Sequence, residues 1–286
     1  MRRAERIALA GRLAAPCRLP PPGRTGGGRQ GFLGGAAAGQ SAEFHDFREY
    51  RPGDDLRRVD WRGYARTGQM RLILFREEAS PEVELLLDVS ASMAAYPGKE
   101  QAAIFIAAFL CAAALAAEGR PVLCRDGRRF GAGEFAEALL ATRFAGGDPA
   151  PAPAGSPAAK PLRFYLGDCL FADDVGRRFD RQAAGSLLFH PIMLLAQSEI
   201  NPPWRGVRRL VDVEAPADAG LDLPLSEAVI ARYRSRLGRH EEALARAAGR
   251  NGGRLLRLDV PDGELTPADC GELVRRLVAE KTVAGR

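Results

Sequence analysis

The chain reads as an α/β protein, a doubly wound and mostly parallel sheet with an N-terminal β-containing extension. Two observations carry this. Short aliphatic runs alternate with longer segments of helical periodicity, the pattern of parallel strands joined through helices. Two of those runs, Val83 to Leu87 and Leu162 to Leu166, lead directly into turns bearing Asp88 and Gly167-Asp168, as at the carboxyl ends of strands in an open sheet. At 286 residues the chain can bury one large core, or a smaller domain with an annex.

Residues 1–40 are expected to be a flexible Gly/Pro-rich N-terminal segment, because Pro20 to Gly39 is dominated by Pro, Gly and Ala and supplies no core. In Met1 to Leu13, residues Glu5, Arg6 and Arg12 interrupt any signal-peptide hydrophobic region. Residues 41–80 read as an extension with an edge strand. Met70 to Arg76 is its strand, separated from Val83 by a turn containing Pro81 and expected to pair antiparallel at or near a sheet edge.

Residues 81–286 read as the α/β domain itself. Val83 to Leu87 is a buried-strand run, and Gly98 to Glu118 is apolar nearly all round, as a core helix is. Pro121 to Cys124 is a short strand, and the proline-rich stretch Gly146 to Ala159 is a surface loop or insertion. Strands are then expected at Leu162 to Leu166, His190 to Leu195, Val207 to Val213 and Arg254 to Val260. Helices fall at Asp173 to Ala184, at Ser226 to Gly249 with Ser226 as a cap, and at Thr266 to Glu280.

Composition narrows the function classes. With 46% hydrophobic and 27% charged residues this is an ordinary globular balance, and no uninterrupted apolar run reaches the roughly 20 residues of a membrane span. The five cysteines are far apart and form no C-x-x-C pair, so neither a disulfide framework nor a cysteine zinc site is expected, and a cytoplasmic location is. The net charge is +5, yet the arginines are scattered among acids and no nucleic-acid-binding motif accompanies them.

The turn Asp88-Val89-Ser90-Ala91-Ser92 is the segment that carries chemistry. An aspartate followed by hydroxyls at alternate positions presents three oxygens from one tight turn. Water or a partner carboxylate completes such a hard-oxygen shell, which suits Mg²⁺ or Mn²⁺. Asp168, at the end of another strand, is expected to supply a further oxygen. The structural alternative is that Ser90 and Ser92 cap the following helix while Asp88 satisfies loop amides.

The D-x-S-x-S spacing of Asp88, Ser90 and Ser92 resembles the metal-ion-dependent adhesion site of von Willebrand A domains. That resemblance implies the serines as direct ligands and the aspartate largely through water. Upstream, Glu43 to Asp55, then Arg57-Arg58-Val59-Asp60-Trp61-Arg62, Ala65-Arg66-Thr67-Gly68 and Glu77-Glu78 closely resemble the signature of the bacterial domain of unknown function 58 family. Weaker similarity continues through Asp168 and Asp212-Val213-Glu214. The resemblance implies a von Willebrand A-like, Rossmann-like fold and a MoxR-type AAA+ ATPase, or its client, as partner in assembly or maturation of other proteins. One departure is that the adhesion-site pattern calls for a threonine from a separate loop, where this chain offers only Thr142 and Ser156.

The signature has its own physical reading. Arg51-Pro52-Gly53-Asp54 forms a turn. Beyond it, Arg57, Arg58, Asp60, Arg62 and Arg66 surround Trp61, either as an internal salt-bridge network with Trp61 as a packing anchor or as arginines that hold a partner's carboxylates. Other motifs fail on their own terms. Gly98-Lys99 lacks the upstream glycine of a phosphate-binding loop, where Met93 stands, and is followed by Glu100. Gly131-Ala132-Gly133-Glu134-Phe135-Ala136 follows a basic segment rather than a clear strand, and His240-Glu241-Glu242 has leucine where a second histidine belongs. Three functions follow: a non-enzymatic cation-assisted interaction module; a metal-independent scaffold contacting partners through residues 48–66; and a metal-dependent phosphohydrolase using Asp88, for which no general base is evident.

Overall fold

The computed structural model describes residues 1–19, 44–51, 54, 59–75, 82–145, 160–170, 175–215, 220–280, 282 and 284–285. They fall into two compact units, Met1–Gly27 with Pro81–Arg286, and Gly28–Ser80. In chain order the elements are α1 (Arg3–Ala14), β1 (Cys17–Arg18), β2 (Phe44–Glu49), α2 (Trp61–Thr67), β3 (Arg71–Phe75), β4 (Glu82–Leu87) and α3 (Pro97–Ala116). There follow β5 (Arg120–Arg125), β6 (Arg128–Phe130), α4 (Phe135–Leu140), β7 (Leu162–Gly167), α5 (Val175–Ala183), β8 (Leu188–Ala196) and α6 (Gln197–Ile200). The chain continues through β9 (Gly206–Leu210), β10 (Leu221–Leu225), α7 (Glu227–Arg250), β11 (Leu256–Val260), α8 (Pro267–Ala279) and β12 (Ala284–Gly285).

The larger unit is built on a six-stranded sheet in the order β11-β8-β7-β4-β5-β6. All neighbours run parallel except β6, which turns back antiparallel on β5. The two faces follow from strand alternation. Val83, Leu85 and Leu87 of β4 join Phe164, Leu166, Ile192 and Leu258 in a core shared with α1, α3, α4 and α8. Leu86, Tyr165, Phe189, Met193 and Leu195 point the other way, under α5 and α7. Ser226 and Thr266 cap α7 and α8, accepting from the amides of Val229 and Asp269.

Strand order places a switch point between β4 and β7. The chain leaves β4 for β5 on one side and returns to β7 on the other, so connections diverge above these two strand ends. This is the crevice where open α/β sheets bind ligands. Both Asp88 and Asp168 therefore emerge at the same spot.

Three elements differ from the sequence reading. Residues 1–40 were expected to be a flexible segment, but Arg3–Ala14 is helical and packs on α3, with Ala10 and Ala14 fully buried. Alanines on both helices allow this close approach, and α1 is why α3 is buried all round. Helix α3 is long and apolar enough to cross a membrane by length and composition, and here it is a core helix. Second, Val207 to Val213 was expected as a strand of the main sheet. Instead, among the described residues, β9 pairs with β10 in a separate antiparallel ribbon, every residue of β9 exposed, and no buried carboxylate faces Arg208 or Arg209 as Glu84 faces Arg163 in the main sheet.

Third, β3 pairs antiparallel as expected, but with β2 in a two-stranded ribbon of the smaller unit. In that unit Val59 bridges to Leu72, and Asp60 caps α2 by accepting from Gly63 N at 2.9 Å. The segment Pro20 to Gly39, the Arg51-Pro52-Gly53-Asp54 turn apart from Arg51 and Asp54, and the proline-rich stretch 146–159 lie outside the described residues.

Candidate functional site

Asp88 is the first residue past β4, and its amide continues the ladder by donating to Leu166 O at 2.9 Å. The side chain is 2% exposed. Its Oδ2 accepts from the Tyr165 hydroxyl at 2.6 Å and its Oδ1 from the Ser90 amide at 2.9 Å. These are neutral donors, and among the described residues no basic side chain pairs with Asp88. Burial pushes its carboxyl above the ordinary range and the negative charge of Asp168 pushes the same way, against the pull of the Tyr165 hydroxyl and the Ser90 amide.

The turn then presents its hydroxyls. Ser90 Oγ and Ser92 Oγ lie 3.1 Å apart on half-buried residues. A short 3₁₀ turn, Ala91–Ala94, follows. The serine side chains do not cap it, so the hydroxyls are not spent on helix capping. Its first amides are met by Glu214, whose carboxylate accepts from Ser92 N at 2.7 Å and Ala91 N at 3.2 Å.

Asp168 is 3% exposed and close enough to Asp88 for their charges to interact. Gly167 shows how closely the two strand ends approach: a Cβ there would stand 2.6 Å from Asp88 Cβ and 2.7 Å from Asp88 Oδ2. Cys169 takes a left-handed φ of 57°, and Leu170 N beyond it donates to Asp168 Oδ1 at 3.1 Å. The other oxygen, Oδ2, accepts from Lys99 Nζ at 3.0 Å. Lys99, in the first turn of α3, is fully buried and also donates to Glu199 Oε1 at 2.7 Å. Burial pushes the Glu199 carboxyl up, against the opposing pull of Lys99.

Of the sequence-predicted residues, Asp88, Ser90, Ser92 and Asp168 are thus brought to one switch point, with Asp168 engaged by a lysine. Donor chemistry at the turn fits a small hard cation: one buried carboxylate without a cationic partner among the described residues and two adjacent hydroxyls. Among the described residues no three His, Cys, Asp or Glu side chains converge as a metal site, so an ion here leans on the serines. Thr142 is not available, because its hydroxyl donates to Ala138 O at 2.8 Å and its carbonyl accepts from Arg3 at 2.5 Å. Ser156 lies outside the described residues.

In the smaller unit, Trp61 is 52% and Tyr64 42% exposed, their rings meeting edge to face at 6.2 Å. Arg62 and Arg66 are exposed as well, and among the described residues no ion pair joins them to Asp60. Trp61 is therefore not a packing anchor, while Arg57 and Arg58 lie outside the described residues. Sequence reasoning missed Tyr165, Lys99 and Glu199 as neighbours of Asp88 and Asp168. The signal for Lys99 is a lone lysine at the start of a helix that is otherwise largely apolar; nothing local to Glu214 signals its contact with the Asp88 turn.

A family model described as "Protein of unknown function DUF58" matches residues 46–133, a stretch that carries Asp88, Ser90, Ser92 and Lys99 and stops short of Asp168. This match supports that family. No curated protein and no solved structure matches the chain.

Proposed function

We propose that the chain is a non-enzymatic, cation-assisted protein-interaction module of von Willebrand A-like type. Mg²⁺ or Mn²⁺ is held at Asp88, Ser90 and Ser92, and an aspartate or glutamate of a partner completes the shell. Asp168 bears on the ion through its charge. One observation carries the reading: a carboxylate 2% exposed, hydrogen-bonded among the described residues only by neutral groups, in the same turn as two adjacent hydroxyls at the switch point. A carboxylate buried in this way keeps its charge only with a counter-ion beside it.

The partner in this reading is a MoxR-type AAA+ ATPase or its client, met in the cytoplasm during assembly or maturation of other proteins. Capture of such an ATPase is expected to be lost on chelation of divalent ions and in a folded Asp88→Ala variant. Undiminished capture by that variant would overturn the reading. Calorimetric titration with MgCl₂ tests the site directly, with stoichiometric uptake expected in the wild type and none when Ser90→Ala and Ser92→Ala are combined.

A second reading, a metal-independent scaffold, draws on the exposed Trp61, Tyr64, Arg62 and Arg66 of α2. Capture that persists in chelator and disappears in Trp61→Ala with Arg62→Ala selects it over the first.

A further inference from the structure

Lys99 is the single basic residue of α3 and its side chain has no exposure at all, whereas lysines are rarely buried unless paired. Removing an ammonium from water is costly unless opposite charge and hydrogen bonds replace the water. Two carboxylates do so here, Asp168 at 3.0 Å and Glu199 at 2.7 Å, with side-chain exposures of 4% and 15%.

The surroundings hold the ammonium in place. Gly98 presses the start of α3 against the loop after β11 so tightly that a Cβ would sit 1.9 Å from Pro261 O. Glu199 Oε2 accepts from Ala196 N at 2.7 Å, and the Tyr233 hydroxyl donates to Glu199 O at 2.5 Å. Glu199 cannot turn away without giving up the Ala196 amide, nor Asp168 without giving up the Leu170 amide. Beside Glu214, which is taken up by the amides of the turn, three acidic side chains crowd the switch point, and Lys99 serves two of them, so that among the described residues no basic side chain pairs with Asp88.

We infer that Lys99 is a built-in cation that occupies Asp168 and keeps it out of the divalent-ion shell, so that the resting site consists of Asp88, Ser90 and Ser92 alone. This rests on the reading of Asp88 as an ion site and adds what sets its affinity. Lys99 does for Asp168 what an ion does for Asp88. A shell with one carboxylate binds Mg²⁺ weakly, and that makes the partner's acidic side chain necessary for retention. Lys99 is thus a positioning residue: it acts on the ion through Asp168.

The test is calorimetric titration of the full chain with MgCl₂, comparing the wild type with Lys99→Met and with the double variant Lys99→Met, Glu199→Gln. The double variant removes one positive and one negative charge together, so it folds under less electrostatic stress and leaves the net charge of the cluster unchanged. Both variants are expected to bind Mg²⁺ about tenfold or more tightly than the wild type, the scale on which supporting partners tune metal sites. Adding Asp168→Asn to the double variant removes the gain. A purely structural lysine would lower stability without tightening ion binding. Affinity no tighter than wild type in the double variant overturns the role of Lys99 and leaves the Asp88 site standing. Uptake by the double variant, dependent on Asp168, with none by the wild type, keeps the role of Lys99 and overturns the resident ion site. Uptake by no protein in the series overturns both.

Discussion

Replacing Gly167 by alanine tests the geometry on which the site depends. The added methyl would lie 2.6 Å from Asp88 Cβ, 2.7 Å from Asp88 Oδ2 and 3.0 Å from Tyr165 Cε1, whereas unstrained carbon contacts need about 3.5–4.0 Å. Neither neighbour can swing into solvent, since Asp88 is 2% and Tyr165 0% exposed. Overpacking of this kind costs about 1–3 kcal/mol. Losing the 2.6 Å Tyr165–Asp88 hydrogen bond adds about 1.5–3 kcal/mol if the carboxylate is charged. Alanine's smaller unfolded-state entropy offsets at most about 1 kcal/mol. The expected net loss is roughly 1.5–6 kcal/mol, and at roughly 2–4 °C per kcal/mol the melting temperature falls by about 3–24 °C. Urea denaturation and thermal melts followed by circular dichroism read it, with Tyr165→Phe as the control that removes the hydrogen bond without adding bulk. A Gly167→Ala melting temperature within about 2 °C of wild type would refute the close approach of the two strand ends, and with it the shared crevice.

Three further outcomes are expected. Glu84 is fully buried within β4, pairing with Arg163 at 2.6 Å and with Arg129; Glu84→Gln is expected to cost about 3–5 kcal/mol by leaving a buried guanidinium uncompensated, and a urea-derived loss under about 1 kcal/mol contradicts it. Burial holds His190 below its ordinary pKa of 6.5, with Nδ1 accepting from Arg254 N at 3.3 Å. The folded state thus keeps His190 neutral, so its contribution to stability is present above the unfolded value and lost as pH falls through 6.5 toward the depressed one. Urea melts across that range should show a shallower acid-side loss in His190→Asn than in wild type, and parallel curves would count against the assignment. All five cysteines are buried, and burial pushes the Cys111 and Cys124 thiols up to about 12; a thiol reagent at mildly alkaline pH should label the native protein slowly and all five sites in denaturant, so prompt native labelling of several thiols would be the contrary result.

Local pattern was enough to reveal β4, β5, β7, β8 and β11 of the sheet, but not its edge strand β6, whose Arg128-Arg129 reads as a basic segment. Val83 to Leu87, Leu162 to Leu166 and His190 to Leu195 announce themselves as largely aliphatic runs because a strand covered on both faces is mostly apolar on both, the exceptions Glu84 and Arg163 pairing with each other. The caps Ser226 and Thr266 are legible for the same reason, since the groups they satisfy are only three residues away. The turn at Asp88, Ser90 and Ser92 was legible too, as a cluster of oxygens within five consecutive residues.

What local pattern could not supply is which distant residues share a neighbourhood. The Gly/Pro-rich stretch gave no hint that the helix before it covers α3, because twelve residues of weakly amphipathic sequence acquire a buried face only once a matching surface exists. Val207 to Val213 and Leu162 to Leu166 look alike as apolar runs, yet only strand order decides which one enters the sheet. By itself the sequence determined the class of fold, most of its elements and the oxygen-bearing turn. Only the tertiary structure decided that Tyr165 anchors Asp88 from 77 residues away and that Lys99 reaches Asp168 across 69. Periodicity acts over a few residues of backbone, whereas charge pairing is decided by the sheet order that brings two strand ends and one helix start together.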